Sequence, residues 1–221
     1  MSHAPAPVPR RAPPRRLTTA TLHRAARALA ARDRDLARLL AAHGLPPMWG
    51  RRTGFATLVH IILEQQVSLA GARTLNRRLR AHLGEITPAT VTGCREAGLR
   101  AFGLTRQKAR YVHALAVAVR DGHLDLGRVA RLPDHEAHQA LLALPGIGPW
   151  SVAIYQLMAL RRPDIWPDGD LALAAAMARV KGLAHVPGRL EQQAIAAAWA
   201  PWRSVGARML WQQYLADRRP S

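Results

Sequence analysis

Apolar and polar residues recur with helical spacing along most of the chain. From Leu17 onward, alanines and leucines return every three or four residues between arginines and acids, which predicts amphipathic helices. Glycines and prolines interrupt the pattern and mark helix ends. The predicted helices are two within 18–42, two within 54–83 with Ser68 as the N-cap between them, and one each within 106–120, 133–144, 149–160, 170–180, 189–198 and 201–215. No stretch alternates as a strand would, so the expected fold class is all-α.

The net charge of the chain indicates what kind of partner it binds. The 221 residues carry 32 Lys+Arg against 14 Asp+Glu, a net charge of +18, and phosphates are the usual partners of so basic a chain. The single cysteine, Cys94, excludes a disulfide framework, a cysteine zinc site and a cysteine-ligated iron–sulfur cluster. Without an 18-residue apolar run or a secretory signal, we expect a cytoplasmic, nucleoid-associated protein.

Residues 1–16 differ from the rest of the chain. They contain five prolines, four arginines and no acid, which predicts a disordered basic tail ahead of a helical domain over 17–221. A solvated leader is favoured over a non-specific DNA-binding arm.

The residue types of the turn LPGIGPW, from Leu144 to Trp150, indicate what it can bind. Gly146 and Gly148 allow positive φ and close approach of another backbone, and Pro149 fits the first turn of a helix. Amides at such a turn can hold one phosphate, and its carbonyls can hold a monovalent cation. The alternative is a tight helix–helix connection with no ligand.

Longer stretches carry a family resemblance. LPGIGPWSVAIYQLMAL at 144–160, followed by DIWPDGDLAL at 164–173, resembles the helix-hairpin-helix–Gly/Pro–Asp signature of DNA glycosylases, in the 3-methyladenine DNA glycosylase II (alkylbase) branch. Further matches are ILEQQVSLAGARTL at 62–75, GLTRQKARYVHALA at 103–116 and WAPWRSVGARMLWQQY at 199–214. The resemblance implies two helical subdomains around an active-site cleft, with the hairpin at about 137–160. The N-terminal mixed α/β subdomain of some members has no counterpart.

The resemblance also implies one catalytic aspartate, and the chain offers two. Asp170 is favoured over Asp168 because it lies 20 positions after Trp150, as in the family, and opens an apolar helix. Asp170 would also be the N-cap of that helix, whose amides and dipole favour a charged carboxylate. Such an anion can stabilise the positive charge that develops on a sugar during glycosidic cleavage.

Trp150 stands where bifunctional relatives have a Schiff-base lysine, which implies a monofunctional enzyme without a cofactor. By resemblance, Trp150 and Trp211 are expected as pocket walls for a cationic base. Tyr155 is a third candidate, offset by one position from a family tyrosine, while Trp199 and Trp202 are assigned to the core.

DNA contacts are predicted at the loop and the hairpin. Gln66, with Gln65 second, is expected to fill the gap left by a flipped nucleotide, although both glutamines could instead cap or bridge helices. The amides of Gly146 and Gly148 are expected to bind phosphate. His135 and His138 form no recognisable metal-ligand pattern.

The expected function is therefore excision of 3-methyladenine and 7-methylguanine from duplex DNA by a monomer. The alternatives are a non-catalytic module for distorted DNA, and a glycosylase for deaminated or etheno bases. The chain lacks a phosphate-binding G-x-x-x-x-G-K-[ST] run.

Overall fold

The computed structural model describes residues 15–218, and every regular element in that range is a helix. The elements are α1 (Thr19–Ala30), α2 (Arg34–His43), α3 (Phe55–Glu64), α4 (Leu69–Leu83), α5 (Pro88–Ala101), α6 (Arg106–Arg120), α7 (Leu126–Val129), α8 (Asp134–Leu142), α9 (Pro149–Ile154) with a π-helical continuation (Tyr155–Ala159), α10 (Leu171–Lys181), α11 (Arg189–Ala197) and α12 (Arg203–Ala216). The all-α prediction is confirmed. No helix within 15–218 is long and apolar enough to cross a membrane.

The helices pack in two groups. The first joins the two ends of the described chain, with α1, α2 and α10 packed on α12. The second contains α3, α4, α5 and α6, and α3 also contacts α9 and its π-helical continuation. A continuous apolar core runs through both groups.

Local sequence explains most helix ends. Ser68 caps α4 by accepting a hydrogen bond from the Gly71 amide at 3.1 Å, as predicted. Pro149 occupies the first turn of α9, where its missing N–H leaves no hydrogen bond unmade. The α8–α9 hairpin therefore forms where the LPGIGPW turn predicts it.

Two helices, α5 and α7, were not predicted. In α5, Gly93 and Gly98 weaken the helical signal, and Arg95 leaves the helical conformation with φ of 58°. The helix α7 has only four residues after its Asp125 cap. Of the predicted tail, 1–14 lie outside the described residues, whereas the Arg15 carbonyl accepts a hydrogen bond from Arg162.

Candidate active site

A cleft of about 1070 Å³ opens between the two helix groups. Four segments line it: 64–68 at the end of α3 and in the α3–α4 loop, Gln107 and Tyr111 on α6, 146–151 at the hairpin turn, and 169–172 at the start of α10. These segments are far apart in sequence, and the packing of α3 and α9 brings them together. The cleft is therefore built around the hairpin.

Asp170 lies in the wall of this cleft as the N-cap of α10. Its Oδ1 accepts a hydrogen bond from the Leu173 amide at 2.9 Å, and only 9% of the residue is exposed. An extended backbone at Asp170, followed by an apolar helix, produces this cap in the way the sequence predicts. The carboxylate is held at a helix start while it still faces the cleft.

Two tryptophans from other helices also donate to this carboxylate. The Trp150 indole N–H donates to Asp170 Oδ2 at 3.0 Å, and the Trp211 indole N–H donates to Oδ1 at 3.3 Å. Trp150 lines the cleft as predicted, whereas Trp211 is 9% exposed and does not form part of the cleft wall where it was expected. The structure thus brings three predicted site residues together and adds an unforeseen role, because both indoles orient the acid.

Asp168, the competing acid, has different partners. Its Oδ2 accepts a hydrogen bond from Gln193 Nε2 at 2.7 Å, which ties it to α11. Asp168 does not line the cleft. The sequence favoured Asp170 over Asp168 on the basis of family spacing. The structure supports that preference, because Asp170 faces the cleft and Asp168 does not.

Tyr155 is placed in the core, so its assignment as a pocket wall is wrong. The residue is fully buried, and its hydroxyl accepts a hydrogen bond from the Gly54 amide at 3.0 Å. Burial raises the pKa of this hydroxyl above its ordinary value, although the Gly54 contact partly opposes the shift. Tyr155 lies five residues after Trp150, about 140° around a helix, and so points away from the cleft.

The two glutamines of the α3–α4 loop have separate environments. Gln65 Nε2 donates to the Gly146 carbonyl at 2.8 Å and to Ser151 Oγ at 2.9 Å, which joins α3 to the hairpin. Gln66 is exposed at the loop tip with φ of 55°. The bridging alternative holds for Gln65. The wedge role expected of Gln66 stays a prediction.

The hairpin glycines also differ. Gly146 has φ of 81°, and a Cβ there would lie 2.1 Å from Tyr111 Cγ, so the close approach is to a side chain of α6. Gly148 has φ of −91°, so the expectation of positive φ is wrong for it, and a Cβ there would meet nothing within 4 Å of the protein itself. Only Gly146 is required by the turn.

Glu64 contributes a second carboxylate that the sequence reasoning did not single out. Arg51 contacts both of its oxygens, at 2.7 and 2.8 Å, and His60 Nε2 lies 3.2 Å from Oε1. Burial alone would raise the pKa of Glu64, but the hydrogen bonds from His60 and Arg51 outweigh it and hold the pKa below its ordinary value. Its charge is thereby matched by Arg51.

Neither lysine of the chain lines the cleft. Lys108 is buried and donates to the Leu63 carbonyl at 2.8 Å, and burial lowers its pKa. Lys181 bridges Asp33 and Asp35 at 2.7 and 2.9 Å. Within 15–218 no group of three His, Cys, Asp or Glu side chains is arranged to hold a metal ion.

Comparison with known proteins identifies the class. The chain belongs to the HhH-GPD superfamily of base excision DNA repair proteins, whose family profile matches residues 59–203. The resemblance to this superfamily, which was based on the hairpin and Asp170 segments, is therefore confirmed.

Individual relatives extend the likeness. The Bacillus subtilis protein YfjP, named provisionally as a DNA-3-methyladenine glycosylase, is 25% identical over 80% of this chain and 65% of its own length. The Mycobacterium tuberculosis AlkA, named provisionally as a bifunctional transcriptional activator and DNA repair enzyme, is 31% identical over 69% of this chain and 32% of its own. The chain therefore spans less than two thirds of either relative.

A solved structure shares the fold. The 3-methyladenine DNA glycosylase of Schizosaccharomyces pombe, in complex with abasic DNA, superposes with a TM-score of 0.77 at 22% identity. The match covers 89% of this chain and 100% of that one. The two proteins thus share the helical fold, with its two groups of helices around a cleft.

Proposed function

We propose that this protein is a monofunctional DNA glycosylase that removes alkylated purines, such as 3-methyladenine and 7-methylguanine, from duplex DNA. It would act as a monomer without a cofactor. The observation that carries the proposal is Asp170, a nearly buried carboxylate facing the cleft and fixed by three N–H donors. The names of the relatives supply the base class.

The reaction is hydrolysis of one bond. As the bond between the sugar C1′ and the purine nitrogen breaks, its electrons leave with the base and positive charge develops on the sugar. The Asp170 carboxylate, held near that sugar, stabilises the charge electrostatically. Water then adds to C1′ and loses a proton, which Asp170 can accept, and an abasic site remains.

The indoles of Trp150 and Trp211 make this carboxylate a fixed group. With the Leu173 amide, they leave its plane little freedom, so no reorientation is needed as charge develops on the sugar. Trp150 and Trp211 are therefore positioning residues for the acid.

Base recognition would use the aromatic faces of the cleft. Alkylation at a purine ring nitrogen leaves the base positively charged, so it departs without strong acid help. A cationic ring is attracted to electron-rich faces by about 0.5–2 kcal/mol per contact, and Trp150 and Tyr111 are the aromatic residues that line the cleft.

The DNA grip would combine a wedge and phosphate contacts. Gln66 fills the gap left by the flipped nucleotide, which lowers the cost of unstacking. The amides of Gly146 and Gly148 bind a phosphate beside Arg110, whose guanidinium lies 5.6 Å from the centre of the Tyr111 ring. A monovalent cation on the turn carbonyls stays a prediction, and the Gly146 carbonyl already accepts from Gln65.

The test is base release from methylated duplex DNA by the purified protein, with free bases separated by chromatography. We expect 3-methyladenine or 7-methylguanine in the supernatant and abasic sites in the DNA. Release of hypoxanthine, uracil or ethenoadenine instead would move the assignment to another lesion. Tight binding to distorted DNA without release of any base would replace it with the non-catalytic module.

A further inference from the structure

The helix α4 carries a row of arginines directly after the α3–α4 loop. Arg73, Arg77 and Arg80 follow the i, i+4, i+7 spacing that places side chains along one face of a helix. Leu69, at the first position of α4, lies on the same face. We call Arg73, Arg77 and Arg80 the α4 arginine row.

This row faces away from the protein interior. The buried side of α4 is marked by Ala72 and Leu79, and at about 100° per residue the row lies about 120° away from it. All three arginines are exposed. The row is therefore available to a partner along its whole length.

The positive charge of the row is not compensated within the protein. The helix α4 contains no acidic residue, and within 15–218 none of the three arginines forms an ion pair. The one side-chain hydrogen bond of the row goes from Arg80 Nε to Asn76 Oδ1 at 3.2 Å. Arg38 on α2 differs, since it pairs with Asp35 at 2.6 Å.

Position links the row to the cleft. Val67 and Ser68 line the cleft, and Ser68 caps α4, so the helix starts at the cleft rim, just beyond Gln66. Val67 and Leu69 are 42% and 55% exposed there, an apolar pair beside the predicted wedge. From Arg73 to Arg80 the helix rises about 10 Å, at 1.5 Å per residue. Phosphates of one DNA strand rise about 3.4 Å each along the duplex axis, so a helix parallel to that axis would span about three of them.

We propose that the α4 arginine row binds consecutive phosphates of the DNA backbone beside the flipped nucleotide. This inference rests on the proposed function, because it requires that DNA occupies the cleft. Binding along α4 anchors the helix whose N-terminus carries the wedge loop. The row thereby holds Gln66 in the duplex, and the salt dependence of binding comes in large part from these three residues.

The first test compares two triple variants with equal loss of charge. One carries Arg73→Gln, Arg77→Gln and Arg80→Gln. The control carries Arg24→Gln, Arg27→Gln and Arg34→Gln, which are exposed on α1 and α2, helices that contribute nothing to the cleft lining. Glutamine has nearly the helix propensity of arginine, so both should fold, as unfolding curves would verify.

The readout is the salt dependence of affinity for a duplex that contains a stable abasic analogue. Each lost phosphate contact reduces the slope of log K against log salt by about 0.9. We expect the slope of log K against log salt to be shallower by about 2–3 in the row variant than in wild type. The control variant should keep the wild-type slope. Equal slopes for the two variants would overturn the inference.

Neutral methylphosphonates, introduced one position at a time on both strands, give a second test. Wild type should lose affinity at two or three adjacent positions near the lesion, and the row variant should be insensitive there. Equal sensitivity of both proteins at those positions would also overturn the inference. If wild type binds DNA and releases bases but the row variant keeps the full slope, the role of the arginine row is refuted and the proposed function stands. If wild type does not bind DNA at all, the proposed function is refuted as well.

Discussion

Replacing Gly146 by alanine tests how the hairpin turn is built. Gly146 adopts φ of 81°, in the left-handed region, and an added Cβ would lie 2.1 Å from Tyr111 Cγ and 2.7 Å from Tyr111 Cβ. Real carbon atoms do not approach so closely, so either the turn or α6 must move. Because Gly146 and Tyr111 both line the cleft, the movement reaches the site.

The expected cost has two parts. Left-handed backbone costs a non-glycine residue about 1–2 kcal/mol, and overpacking against the tyrosine adds about 1–3 kcal/mol. We therefore expect Gly146→Ala to lower the free energy of unfolding by about 3 kcal/mol. Urea unfolding of the two proteins measures this difference through the shift in midpoint.

Gly148→Ala is the matched control. Its φ of −91° suits alanine, and its Cβ would meet nothing within 4 Å, so stability should hardly change. Adding Tyr111→Gly to Gly146→Ala removes the three tyrosine atoms that the new Cβ would meet, Cβ included. It should therefore relieve the overpacking but not the backbone cost, a coupling of about 1–3 kcal/mol in a double-mutant cycle. Gly146→Ala with the stability of Gly148→Ala, or a cycle with no coupling, would refute this account of the turn.

Three further results are expected. Trp211→Phe keeps an aromatic ring but removes the 3.3 Å donor to the carboxylate, so single-turnover excision should fall by about fivefold, near 1 kcal/mol, and an unchanged rate would show that the donor is not used. Glu64 has a lowered pKa, so its stabilising effect is present above the ordinary carboxyl pKa of roughly 4.3 and lost as pH falls through the lower folded value. The stability difference between wild type and Glu64→Gln should therefore shrink as the pH is lowered from neutral to below the ordinary carboxyl pKa, and a pH-independent difference would contradict the Arg51 pairing. Borohydride should trap no enzyme–DNA adduct during turnover, because Lys108 and Lys181 lie outside the cleft lining, and a trapped species would contradict the monofunctional assignment.

Local chemistry made several elements predictable. The Ser68 cap, the Pro149 helix start and the Asp170 cap depend on residues within three positions, so the sequence contains their whole cause. Helix α5 was not predicted because its local pattern is weak: its glycines and the break at Arg95 interrupt the helical signal. Its packing against α6 is a tertiary effect.

Contacts between segments that are distant in sequence were harder to predict. Trp150 and Trp211 were expected near the base, but their shared hydrogen bonds to Asp170 depend on how α9, α10 and α12 meet. The adjacent residues Gln65 and Gln66 have the same side chain in different environments, since Gln65 contacts the hairpin whereas Gln66 is exposed with a positive φ. No local pattern distinguishes such a pair.

We expect Asp170 to perform the chemistry, and single-turnover excision of 7-methylguanine measures its contribution. Asparagine is as good an N-cap as aspartate, so Asp170→Asn should keep α10 and the affinity for abasic duplex while removing the negative charge. Asp168→Asn removes an equal charge two residues away, at a position bound to Gln193. We expect a loss of at least about 100-fold for Asp170→Asn and near wild-type rates for Asp168→Asn. Full activity of Asp170→Asn, or an equal loss in both variants, would contradict this expectation.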